Sequence, residues 1–251
     1  MRGAGLAAAV AAAAIGWAGV AAAAPGLAEQ VYSPYVKKGV TEVELRGGRL
    51  TGGAASGDSA AVIELEHGFT DRLSLAVLGE FEDEPGDRRK LDSVAVEGVA
   101  YLGQLPGIGV DVGAYLEYEQ RLHNESGKLE GKVLLARQIG PVHGLLNLVA
   151  EQALTDRPGE GAMAFGYAAQ GTVDAGHDLQ VGLQAFGDLG SNRAFGGRQQ
   201  HFLGPVARWE ARPRWAAGEL ELEAAYLLPV GESRHETDGQ VRFSLEWEKR
   251  F

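Results

Sequence analysis

The sequence predicts an all-β chain, a single antiparallel sheet of about twelve strands closed into a transmembrane barrel, with ten and fourteen as the neighbouring even counts. Three observations lead there. Segments of about ten residues alternate apolar and polar side chains, as strands with lipid on one face and water on the other require. The connections between them alternate short and long in a constant phase. The last stretch, residues 240–251 (QVRFSLEWEKRF), sets Val241, Phe243, Leu245, Trp247 and Phe251 on one face against Arg242, Ser244, Glu246, Glu248 and Arg250 on the other.

Composition narrows the alternatives. The chain has 251 residues, a length that single-domain barrels commonly reach. Its apolar content of 45% is too high for a disordered chain. No apolar run of about 20 residues occurs beyond the amino terminus, which excludes a helical membrane protein there. A formal charge of −11 argues against nucleic acid as a partner, because phosphates demand a basic surface. The absence of cysteine removes disulfides and thiolate metal sites.

Residues 1–28 read as a cleaved secretory signal peptide: Arg2 opens it, an Ala-rich apolar stretch follows, and small residues close it. Cleavage falls after Ala23 or Ala28. The second is preferred, since Gly26 and Ala28 then fill the two small positions and Pro25 stands away from the cut. Residues 29–38 (EQVYSPYVKK) form a periplasmic lead or a plug, because Pro34 interrupts both helix and central strand. The barrel occupies residues 39–251.

Its strands are expected at 39–48, 60–68, 71–82, 91–103, 109–120, 127–138, 142–153, 161–172, 177–187, 199–211, 215–228 and 240–251. The fourth, sixth, eighth and tenth alternate less cleanly than the eleventh, where Leu220, Leu222, Ala224, Tyr226 and Leu228 oppose Glu219, Glu221 and Glu223. Barrels of this kind have short periplasmic turns and longer outer loops. The even-numbered connections, at 67–71, 103–108, 139–141, 173–176 and 212–214, are the short ones. The others, at 48–59, 83–90, 121–126, 154–160, 188–198 and 229–239, are rich in Gly, Pro and charge. Both termini are then periplasmic.

With these residues in view, the chain resembles the outer-membrane β-barrel proteins of Gram-negative bacteria over about residues 29–251. The most specific part is the final strand, where Phe243, Leu245, Trp247 and Phe251 match the alternating apolar ending of that class. Lys249 departs from it, and near the membrane edge its ammonium can snorkel to the headgroups. The resemblance implies a bacterial outer-membrane location, insertion by the outer-membrane assembly machinery, and contact with outer-membrane lipid and lipopolysaccharide.

The face that alternation turns inward is acidic: Glu42, Glu44, Glu64, Glu66, Glu80, Glu82, Glu97, Asp111, Glu117, Glu119, Glu151, Glu219, Glu221, Glu223, Glu246 and Glu248. Fewer cations oppose them, chiefly Arg46, Lys128, Lys132, Arg208, Arg242 and Arg250. Unpaired charge in a dry interior costs several kcal/mol per ion, so the lumen is expected to be wet, ion-paired or both. A wet acidic lumen favours small cationic or neutral solutes, the wall carboxylates acting as an electrostatic filter. A non-conducting barrel with an ion-paired lumen, binding a partner through its lead or loops, is the alternative. Twelve strands lie between counts that side chains fill and counts that leave an aqueous channel.

An enzyme is the third class. Nucleophilic catalysis needs a hydroxyl with a base in reach; Ser74 and Ser244 face inward, whereas His143 and His201 are placed on the outward face and His67, His123, His177 and His235 in connections. No catalytic residue, cofactor or metal is therefore assigned. No loop carries the regular Asp/Asn/Gly spacing of a calcium motif, and two Met cannot build a copper site.

Overall fold

The computed structural model describes residues 26–83, 90–122, 126–155, 161–196, 199–213 and 216–251. The alternating segments form β1 (Val40–Thr51), β2 (Ser59–Gly68), β3 (Leu73–Asp83), β4 (Lys90–Leu105), β5 (Val110–Arg121), β6 (Lys128–Ile139), β7 (Val142–Ala153), β8 (Met163–Gly176), β9 (Leu179–Ser191), β11 (Gln200–Ala211), β12 (Glu219–Gly231) and β13 (Gly239–Arg250). A two-residue strand, β10 (Ala194–Phe195), folds back on the end of β9. The expectations for residues 1–25 and for the loops at 84–89, 123–125 (with His123) and 156–160 lie outside the described residues.

Every barrel strand pairs antiparallel with its neighbours in sequence, and β13 returns to β1 in unbroken register from Val40↔Arg250 to Thr51↔Gly239. That seam removes the last free edge, which hydrocarbon would leave unsatisfied. Both ends of the sheet reach the same rim, here the terminal rim; the opposite opening is the far rim. Strand lengths run from 10 residues in β2 to 16 in β4, enough for tilted strands to cross hydrocarbon, which takes about 9–11.

Outward side chains are apolar on strand after strand. Leu45, Ile63, Leu65, Leu75, Val77, Val96, Leu116, Val133, Leu148, Leu183, Leu203, Leu222, Leu228 and Phe243 all stand exposed. So wide an apolar surface encircling a closed sheet is stable only against lipid. Phe243 and Leu245 belong to this belt, Trp247 donates from Nε1 to the Ala216 carbonyl (3.0 Å), and Phe251 caps the seam with its N–H on the Gly39 carbonyl (2.9 Å). Lys249 folds its ammonium over the Phe251 ring, 4.8 Å from the centroid.

Two strands with weak alternation carry register shifts, β4 between Tyr101 and Gly103 and β8 between Phe165 and Gly166 and again between Asp174 and Gly176. A bulge adds one residue and inverts the phase beyond it, which disperses a period-two signal. The tenth connection is not short: β12 begins only at Glu219, so residues 212–218 separate it from β11. Ala217 adopts a left-handed backbone (φ 48°), which ends any strand there.

Candidate functional site

The lumen is occupied by residues 26–38. They enter near the far rim, where the Gly26 carbonyl accepts from Arg242 Nη1 (3.3 Å) and the Leu27 carbonyl from Gln240 Nε2 (3.4 Å). They descend past Arg46, whose Nε donates to the Ala28 carbonyl (2.9 Å). Mid-barrel, Asn147 brackets Tyr32, accepting its N–H on Oδ1 (2.7 Å) and donating from Nδ2 to its carbonyl (2.9 Å). At the terminal rim the Tyr35 hydroxyl donates to Asp111 Oδ2 (2.9 Å), and Lys37 Nζ reaches both carboxylate oxygens of Glu248 (2.5 and 2.7 Å). Partial burial, then the Asp111 carboxylate, pushes the Tyr35 phenol up to about 12. Partial burial lowers the Lys37 ammonium, but Glu248 outweighs it and raises the pKa overall.

Packing shows that the wall is shaped for this segment. Three apolar clusters interrupt the polar lumen, and each includes part of it: Ala28 with Leu27 on Ala60 and Val62, Val31 against the patch of Phe186, Phe202 and Leu227, and Tyr32 with Val36 on Val99, Tyr115 and Leu134. Gly113 admits Pro34, since a Cβ there would stand 2.8 Å from the proline Cβ. Gly48 likewise lets the Leu27 backbone close on β1.

Of the predicted wall residues, Glu97 and Asp111 contact the segment through Tyr32 and Tyr35, Glu219 stands at the terminal rim, and the other charged ones border the cavities beside the segment. Arg46 pairs with Glu44 (2.7 Å) and Glu64, all three buried. Lys132 binds Glu29 (2.6 Å) and Glu130 (3.0 Å), with its ammonium 4.4 and 4.6 Å from the ring centroids of Tyr32 and Tyr115. Glu119 pairs with Lys128 (2.7 Å) and Arg121 (3.1 Å), Arg208 with Glu221, and Glu219 with Arg212 (2.9 Å). Glu223 accepts from Gln170 (3.0 Å) and Gln184 (2.9 Å), and Asp111 from Tyr101 (2.6 Å). Tyr115 Oη lies 2.7 Å from Glu97 and 2.6 Å from Glu117, and its single proton serves one at a time. Glu80 stands within 3.5 Å of Ser93, and Glu82 lies at the far rim. Arg242 stacks over Phe186 at 4.1 Å.

Two cavities flank the segment. One of about 300 Å³ holds Glu80, Glu82, Glu117, Glu119, Glu130 and Glu151; the other, about 440 Å³, holds Glu42, Glu44, Glu64, Glu66, Glu246 and Glu248. The larger is lined by ten carboxylates against four Lys and Arg side chains.

The Arg46 network is the most demanding part of this wall. Arg46→Met strands Glu44 and Glu64 in a buried position, and breaking such a pair costs about 3–5 kcal/mol. The expected outcome is a correspondingly lower urea midpoint, read by the loss of heat-modifiable gel mobility.

The expected outward placement of His143 is also overturned. His143 faces the lumen, in phase with Asn147 and Glu151, and its Nε2 lies 3.2 Å from Asp174. β7 is apolar on both faces, with Leu145 and Val149 inward and Leu148 outward, so its alternation gives no phase. His201 is outward beside Tyr167 (3.3 Å). Asn147, Glu130, Gly48 and Gly113 escaped sequence reading, because only the threaded segment gives them partners.

No protein-family model and no curated protein sequence matches the chain. Solved structures do. An outer membrane channel from Pseudomonas putida F1 superposes with a TM-score of 0.59 at 14% identity, over 86% of this chain and 97% of that one. The KdgM porin superposes at 0.52 and 10% identity, over 84% and 99%, and its complex with disordered oligogalacturonate at 0.52 and 8% over the same shares. At such identities the likeness is one of fold, and the chain has the closed antiparallel barrel of bacterial outer-membrane proteins.

Proposed function

We propose that the protein is an outer-membrane channel for small cationic or neutral solutes, with the terminal rim toward the periplasm and the wall carboxylates as its filter. The carrying observation is the surplus of carboxylates over cations around the 440 Å³ cavity. Such a surplus in a water-filled, low-dielectric enclosure concentrates cations and repels anions. The porin-like fold supports the reading. In planar bilayers the purified protein is expected to give stepwise currents that prefer K⁺ to Cl⁻. Anion preference would remove the filter from this account.

The segment in the lumen favours a second reading, a barrel held shut that binds partners at its rims. That reading requires silence from the full chain under all voltages tested. In either case the apolar belt meets outer-membrane lipid and lipopolysaccharide, and the strand bearing Phe243, Leu245, Trp247 and Phe251 is the one offered to the assembly machinery.

Export by a cleaved leader belongs to the same proposal, and the contacts of Gly26, Leu27 and Ala28 bear on its cleavage site. Their carbonyls accept from Arg242, Gln240 and Arg46. Cleavage after Ala28 would remove all three acceptors from buried donors, whereas cleavage after Ala23 keeps them. The intact mass of protein extracted from membranes is expected to correspond to a start at Ala24; a start at Glu29 would contradict this.

A further inference from the structure

We infer that Glu64, Glu66 and Glu97 bind a hard divalent cation of the calcium class inside the lumen, whether or not the barrel conducts. Glu64 and Glu66 are two apart on β2 and so share its inner face. Glu97 approaches from β4. The strand between them, β3, presents Ala76 in register with both Glu66 and Glu97, and this small side chain leaves room for the carboxylates to meet above it. Each offers an oxygen, and the three oxygens lie within 4.8 Å of one another. That is the span of ligands on one ion with metal–oxygen distances of about 2.3–2.6 Å.

Unfilled polar atoms supply the independent sign of a ligand. Ser74, 1% exposed, turns its Oγ toward the Glu66 carboxylate, and no other group meets it. Glu97 Oε1 is buried and also lacks a partner, while its other oxygen accepts from Tyr115. Buried polar atoms are seldom left so, and a cation satisfies an acceptor hydroxyl and a carboxylate together. The Arg46 guanidinium is already divided between Glu44 and Glu64. Glu64, Glu66 and Ser74 also border the 440 Å³ cavity, which gives an ion a route in and water for its remaining coordination positions. A second acidic trio, Glu42, Glu246 and Glu248, has similar spacing, but it is less buried and none of its oxygens is among the buried unpartnered atoms of the described residues.

The all-oxygen donor set selects Ca²⁺ or a lanthanide over thiophilic metals. Terbium is therefore the probe, and Tyr115, in contact with Glu97, is its sensitiser. Full-length protein in detergent is expected to show tyrosine-sensitised Tb³⁺ emission that Ca²⁺ displaces. Glu97→Gln and Ser74→Ala are expected to weaken binding, the first by about ten-fold or more for loss of a charged ligand. Glu246→Gln is expected to leave it intact. Heat-modifiable mobility reports whether each variant is folded, and Glu66→Gln, at a less buried position, replaces Glu97→Gln if that one misfolds. Absent emission, emission indifferent to the Glu97 and Glu66 variants, or emission lost equally in Glu246→Gln would overturn the site, the last showing adsorption to an acidic wall.

Discussion

Deleting residues 26–38 is expected to raise single-channel conductance roughly ten-fold, because twelve strands enclose a lumen wider than side chains alone fill and the segment takes up its middle. The segment touches β1, β4, β5, β6, β7 and β13, so its removal is expected to join the 300 and 440 Å³ cavities into one path. Two point variants test the same mechanism without shortening the chain. Gly113→Val drives a side chain into Pro34, and Asn147→Leu removes both hydrogen bonds to Tyr32. Each is expected to move conductance in the same direction by a smaller step, recorded in planar bilayers after refolding. Unchanged conductance in all three would mean that the segment does not limit flow.

Replacing Glu42, Glu246 and Glu248 together by Gln is expected to lower the K⁺ to Cl⁻ permeability ratio by about ten-fold, the lower end of what focused charge achieves in a low-dielectric cleft. These carboxylates line the larger cavity from the adjoining strands β1 and β13, where Glu42↔Glu248 and Glu44↔Glu246 are in register. The reversal potential in a salt gradient measures the effect. It should shrink in molar salt even for the native protein, where screening falls to about 3 Å. Selectivity that survives the triple replacement would move the filter to the far-rim cavity, around Glu80 and Glu119.

Alternation carries most of the architecture because a barrel wall repeats one physical demand, apolar outside and polar inside, on every strand. β12 and β13 state it with charged residues on one face and Leu, Tyr, Trp and Phe on the other, and both were legible. β7 does not, since its inner face carries Leu145 and Val149 where the segment packs, and His143 was assigned to the wrong side. The tenth connection was misjudged for a local reason: the left-handed residue is Ala217, a type that seldom takes that backbone, and Gly218 beside it read as the start of the alternating strand. Wall carboxylates could be listed from parity alone. Which of them meet depends on register across strands, as Glu66, Ala76 and Glu97 show, and sequence spacing carries no such information.

The threaded segment also bears on how the wall closes. It is held by Arg46 and Gly48 of the first strand and by Gln240, Arg242 and Glu248 of the last, the two strands that join at the seam. A sheet growing from β1 toward β13 would therefore carry the segment on its concave face, and the final strand meets a surface that already fits it. In the closed barrel the segment thus bridges the seam from inside, and the register that joins β13 to β1 is one in which Arg242 meets the Gly26 carbonyl.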